Sequence, residues 1–267
     1  MVHFKGDILE VKHSLVRVLS TEAIIMMVTY HLLSDKGSRK KNEDRIGSYI
    51  RNQEYCFALA DGLGGHEKGD LASKIVIDTS INSFKKEGFS QFYIREAFEL
   101  SQEHLLQEQK RLQMSDDIKT TLVLLCISEK KIEWGHIGDS RLYLFKNKKY
   151  VSHTLDHSVP QMLVNIGEIT DKDIRNHPDR SHLLKVMGIE WDRPRYEISE
   201  TIDAESGMAF LLASDGFWEL IEEEDMVKCL KKARDIHEWM NQMEKIVIKN
   251  GQGKDMDNYS AIGVWIK

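Results

Sequence analysis

The sequence predicts an α+β domain in which antiparallel sheets pack together and helices cover their outer faces. Three observations carry that prediction. Short apolar runs rich in β-branched and aromatic residues recur along the chain, as strands require. Several follow one another with no room for a helix between them, which imposes antiparallel pairing. Other stretches place apolar residues at three- and four-residue steps, the signature of an amphipathic helix. Because strands and helices cluster in runs, the layered arrangement follows.

In chain order, residues 1–26 have weak periodicity and end at Met26-Met27, just before a first strand over 28–33. Two readings of the 1–27 segment stay open. Either it is an extension outside the core, with Met27 the natural start, or it is an extra helix docked on the domain. A strand is expected over 55–60, and a helix over 70–84. Ile94, Phe98, Leu105 and Leu112 mark one face of a long second helix. Strands over 121–128 and 131–137 flank Glu129-Lys130, a tight hairpin connection. A strand over 141–145 runs into a turn at 146–149. Further strands are expected over 195–198, 208–213 and 261–266. Trp239, Met240, Met243, Ile246 and Val247 form a last helical stripe, closed by Gly251. No repeat is visible, and three prolines leave no Pro-rich linker. Residues 28–267 therefore read as one domain.

Composition narrows the function. The 267 residues are 41% hydrophobic and 30% charged, the balance of a soluble globular protein. With 43 acidic against 37 basic residues the formal charge is −6, and no basic block is present. That argues against nucleic acid as a partner, since such affinity rests on clustered Lys and Arg. Cys56, Cys126 and Cys229 lie in apolar stretches and make no disulfide framework or zinc spacing. They read as buried thiols in a reducing compartment. The longest N-terminal apolar run is about half the ~20 residues a membrane helix needs. The expected setting is cytoplasmic, with no membrane association, and the expected state is a monomer.

The informative feature is where the aspartates fall. Phe57-Ala58-Leu59-Ala60 runs into Asp61-Gly62, and Phe210-Leu211-Leu212-Ala213-Ser214 into Asp215-Gly216. Trp134 to Gly138 leads to Asp139, and Asp257-Asn258 immediately precedes the final strand. A carboxylate at the end of a buried strand is held rigidly. Several that converge repel one another and raise one another's pKa, so they need a cation or must stay apart. A set without His or Cys favours the hard ions Mg²⁺ or Mn²⁺. Upstream, Arg39 lies near the acidic pair Glu43-Asp44, and an arginine can grip a phosphate bidentately. No Gly-Lys-Ser/Thr follows the glycines at 62, 64 and 65, and no Gly-x-Ser-x-Gly elbow occurs.

Asn42-Glu43-Asp44, Asp61-Gly62-Leu63-Gly64-Gly65-His66, Thr120-Thr121, Gly138-Asp139-Ser140-Arg141, Ser214-Asp215-Gly216 and Asp257-Asn258 stand in the order and rough spacing of a known family. The chain resembles the metal-dependent protein phosphatases of the PP2C (PPM) family, in their bacterial form. Residues 156–178 also resemble the bacterial segment that includes a mobile flap, placed here at about 158–190. The resemblance spans about residues 28–266.

It implies a central antiparallel β-sandwich flanked by helices on both faces, four layers in the order αββα, with a two-metal centre at one edge. The implied metal ligands are Asp61 bridging both ions, the Gly62 carbonyl, Asp215 and Asp257, with Glu43 and Asp44 acting directly or through waters. Asp139 matches a third, weaker ion. Arg39 stands where the family binds phosphate, and His66 is a candidate proton donor to the leaving alkoxide. Thr121 and Ser140 are expected to hold the site from behind. The implied activity is Mn²⁺- or Mg²⁺-dependent hydrolysis of phosphoserine and phosphothreonine in proteins, by in-line attack of a water bridging the metals. A Ser/Thr kinase and its targets are the implied partners. The alternative is a catalytically weak, phosphatase-like module that binds a phosphorylated partner or regulator. Retention of Asp61, Asp215 and Asp257 favours the enzyme.

Overall fold

The computed structural model describes residues 26–63, 68–114 and 118–267. Strands β1 (Val28–Asp35), β2 (Arg45–Arg51), β3 (Glu54–Ala60) and the short β4 (Gly62–Leu63) precede two long helices, α1 (Gly69–Glu87) and α2 (Tyr93–Leu112). There follow β5 (Lys119–Thr120), β6 (Leu122–Ile127), β7 (Lys131–Ile137), β8 (Arg141–Lys146) and β9 (Lys149–His153). The chain then forms α3 (Val159–Asn165) and a 3-10 turn over Asp171–Asn176. Strands β10 (Glu197–Ile198), β11 (Ile202–Asp203) and β12 (Met208–Ala213) lead into α4 (Asp215–Trp218), α5 (Glu223–Lys232), α6 (Ile236–Gly251) and the closing strand β13 (Tyr259–Ile266).

Two antiparallel sheets carry the fold. One runs β1-β13-β12-β8-β9; the other runs β10-β7-β6-β3-β2, with β11 also on β7. Period-two alternation explains how they stack. Phe57 and Leu59 of β3 point into a core between the sheets, where they meet Val123 and Leu125 of β6, Phe210 and Leu212 of β12, and Ile262 and Val264 of β13. Cys56, Ala58 and Ala60 point the other way, beneath Val76 and Phe84 of α1 and Phe98 and Leu105 of α2. On the opposite outer face, Tyr143, Phe145 and Leu211 pack under Trp218, Trp239, Met240 and Met243. Each buried apolar side chain of this size contributes roughly 1.5–3 kcal/mol. The αββα sandwich expected of the sequence is the architecture observed.

The differences have local causes. β2 reads Arg-Ile-Gly-Ser-Tyr-Ile-Arg and β9 is largely exposed; both are polar edge strands without a continuous apolar run. The strand expected over 195–198 shortens to β10. Helix α5 buries only Met226, Cys229 and Leu230, too narrow a stripe to stand out. At the N-terminus, pairing starts just ahead of β1. The Met27 N–H donates to the Lys267 carbonyl at 3.1 Å, and the Lys267 N–H donates back at 2.9 Å. Met26 packs against the inter-sheet core, while residues 1–25 of the expected extension lie outside the described residues. Among the described residues no helix is long and apolar enough to cross a membrane.

Candidate metal centre

The sandwich brings strand ends and sheet-to-sheet crossings to one edge. Asp61 follows β3, Asp215 follows β12, and Asp257 precedes β13. Glu43 and Asp44 lie on the crossing from β1 to β2, and Asp139 on the crossing from β7 to β8. Arg39, Lys41, Glu43, Asp61, Gly62, Ser181, Asp215, Asp257 and Asn258 line a common cavity of about 380 Å³. A second cavity of about 550 Å³ opens beside it, shares Arg39, Ser181, Asp215 and Asp257, and adds Arg180 and Lys254. A cavity of about 580 Å³ between α2 and residues 188–190 gathers no carboxylate cluster, so size alone does not mark the site.

Backbone and hydroxyl groups fix each acid. The Asp61 N–H donates to Thr121 Oγ1 at 2.9 Å, and the Asp61 carbonyl accepts from Thr120 Oγ1 at 2.7 Å. Thr121 Oγ1 in turn lies 2.8 Å from Ser140 Oγ. Asn258 organises the opposite wall. Its Oδ1 accepts from the Glu43 N–H at 2.8 Å, and its Nδ2 donates to the carbonyls of Lys36 and Lys41, both at 2.9 Å. Gly62 allows a close approach: a β-carbon there would collide with the backbone of Gly69 at the start of α1. The Gly62 carbonyl oxygen and Glu43 Oε2 both lie against Gly69, where any side chain would meet them.

The electrostatics are those of buried carboxylates crowded together. Burial and the charges of Asp44, Asp215 and Asp139 raise the Asp61 pKa well above the ordinary range. Burial, then the charge of Asp257, raises Asp215 as well. Asp44 is 1% exposed, and burial pushes it to about 7 although the hydroxyls of Ser214 and Ser260 oppose the rise. Burial, then Asp215 and Asp156, raise Asp139. Ser214 Oγ donates to Asp44 Oδ2 at 2.8 Å, but Asp44 Oδ1 and Asp139 Oδ1 are buried with no partner. Orphaned buried oxygens are costly unless a cation or water completes them. The all-oxygen donor set fits Mn²⁺ or Mg²⁺. Among the described residues no three of these acids bring oxygens within 4.8 Å of one another.

Arg39 lines the cavity, held on an unexpected partner. Its Nε and Nη2 donate to the two Asp257 oxygens at 3.0 and 2.9 Å. His66 lies outside the described residues. Glu219, one helical turn after Asp215, is a further acid that the motif reading passed over. Burial and Asp215 push its carboxyl up to about 7, against the pull of Arg180. The (i, i+4) spacing at the start of α4 is the signal that would have found it.

Comparison with known proteins decides the lineage. The family model described as protein phosphatase 2C matches residues 34–254. The chain belongs to the protein phosphatase 2C family. It is therefore a protein serine/threonine phosphatase by family, as the ordered motifs imply. It is 31% identical over 205 residues to protein phosphatase PhpP of Streptococcus pneumoniae, covering 71% of this chain and 79% of that one. It is 28% identical over 215 residues to serine/threonine phosphatase stp of Listeria welshimeri, covering 77% and 84%. The crystal structure of the Staphylococcus aureus serine/threonine phosphatase Stp1 superposes with a TM-score of 0.81 at 27% identity, over 90% of this chain and 96% of that one.

Proposed function

We propose that this protein hydrolyses phosphoserine and phosphothreonine in phosphorylated proteins, using Mn²⁺ or Mg²⁺ held by Glu43, Asp44, Asp61, the Gly62 carbonyl, Asp215 and Asp257, with a weaker ion at Asp139. The observation that carries this reading is the shared cavity of Asp61, Asp215 and Asp257 with Arg39 at its mouth. When bound, two divalent ions acidify a water, orient it for in-line attack and offset charge on the phosphoryl oxygens.

The chain's own residues supply position and charge. Thr120, Thr121 and Ser140 fix Asp61 through its backbone, so the acid between the two sheets cannot swing away. Asn258 ties the 36–43 loop to the last strand and so sets Arg39 against the cavity. Arg39 is the group that grips the phosphoryl oxygens once Asp257 turns to an ion. The neighbouring cavity with Arg180 and Lys254 gives the flanking peptide somewhere to lie. The buried free thiols at Cys56, Cys126 and Cys229 agree with a reducing, cytoplasmic setting, where a Ser/Thr kinase would supply the substrates.

The test is release of phosphate from a phosphothreonine peptide. Activity is expected with Mn²⁺, none with EDTA, and a loss of more than about a hundredfold in Asp215→Asn, since even outer partners of a metal cost 10–100-fold. Full activity of Asp215→Asn, or activity indifferent to EDTA, would overturn the assignment.

A further inference from the structure

Outside the metal centre, His136 on β7, His157 before α3 and Glu197 on β10 bring ring nitrogens and a carboxylate oxygen within 4.8 Å of one another. Two histidines and a glutamate are the donor set of a zinc site. Their hydrogen bonds argue for a different role. The Gly138 N–H donates to His157 Nδ1 at 3.1 Å, so the neutral ring carries its proton on Nε2 and gives it to Glu197 Oε1 at 2.9 Å. Neither nitrogen of His157 has a lone pair left for an ion. Lys185 Nζ also holds Glu197, at 3.1 Å, and His136 Nε2 is engaged by the Leu155 carbonyl at 2.8 Å. The cluster is a hydrogen-bonded joint.

What it joins is informative. The His157 N–H donates to the Gly138 carbonyl at 2.9 Å, and the His157 carbonyl accepts from the Leu184 N–H at 2.7 Å. Gly138 has φ +102°, and a β-carbon there would press on Thr121, so the turn into Asp139 has one backbone path. On its far side the Asp139 carbonyl accepts from Trp218 Nε1 at 3.0 Å. Trp218 is stacked by Arg141 at 3.6 Å, and Arg141 is held bidentately by buried Asp156, the neighbour of His157. His157 thus bonds at once to the turn before Asp139, to Leu184 within the 158–190 segment and to Glu197 beyond it.

We infer that His157 is a positioning residue: through Gly138 it fixes the angle at which Asp139 presents its unpartnered carboxyl oxygen to the weaker ion. This rests on the ion-centre reading proposed above. Two near-isosteric substitutions separate its bonds. His157→Asn keeps an acceptor at the place of Nδ1, and His157→Gln keeps a donor at the place of Nε2. Mn²⁺ titrations of the full chain by electron paramagnetic resonance, beside thermal unfolding, give the readout. His157→Gln is expected to weaken the weakest Mn²⁺ by about ten- to a hundredfold and leave the tighter ions unchanged, whereas His157→Asn stays within about twofold of wild type. Equal behaviour of the two variants, parallel weakening of all ions with a lowered unfolding midpoint, or a wild type with two ions and no third would overturn the inference. A wild type that takes up no Mn²⁺ would instead remove the ion-centre reading itself.

Discussion

Arg39 and Asp257 form a pair whose members are each 47% exposed, so solvent screens it and its worth is no more than about 1 kcal/mol. Such a pair exchanges partners readily. Were Asp257 engaged by an ion, the guanidinium lining the cavity would be free, and its planar fork would match a phosphoryl group. Replacing Arg39 by Ala should therefore raise KM for a phosphothreonine peptide by about tenfold, about 1.4 kcal/mol, with a smaller change in kcat. Steady-state kinetics at saturating Mn²⁺ would show this, and an unchanged KM would remove Arg39 from substrate binding. The acids were legible in the sequence because each ends an apolar run or precedes one. The Arg39–Asp257 contact was not, because 218 residues separate the partners and only the pairing of β1 with β13 brings their loops together.

At the scale of elements, the joint at the base of the 158–190 segment has a pH signature. Burial, then His136, push His157 down to about 4 from the ordinary 6.5, against the pull of Glu197. Burial alone would raise Glu197, but hydrogen bonds from His157 and Lys185 hold it down to about 2. Asp156 and Lys185 are the other charges facing the stacked rings of His136 and His157. The sign follows from proton counting. As pH falls from about 6.5 to about 4 the unfolded chain protonates this histidine and the folded chain does not, so stability is lost on acidification. Denaturant unfolding across that range should show a flatter slope in His157→Asn than in wild type; identical slopes would contradict the buried neutral ring. Elements that pack on both faces, such as β6 and β12, were plain in sequence because every residue in them is apolar. The edges β2 and β9 and the narrow helix α5 were not, since position in the sheet and not local pattern decides them. The stacking of His157 on His136 was not legible either, because only the approach of β7 supplies that partner.

For the whole molecule, the two-sheet architecture is what concentrates charge. Strand ends from both sheets and two of the sheet-to-sheet crossings deliver acids to one edge, and burial there raises Asp44, Asp61, Asp139 and Asp215 together. A chain with a formal charge of −6 thus gathers part of its surplus in a cavity instead of spreading it over the surface. Two bound divalent ions would reduce that charge to about −2, and the Asp44 oxygen that lacks a protein partner would have one to bind. The layered fold could be argued from periodicity alone; convergence of the acids could not, because it depends on which strand ends share an edge. The most direct test is anomalous diffraction at the manganese edge from crystals grown with Mn²⁺. The account predicts two strong peaks inside the cavity lined by Glu43, Asp61, Asp215 and Asp257, and no peak among the carboxylates would contradict it.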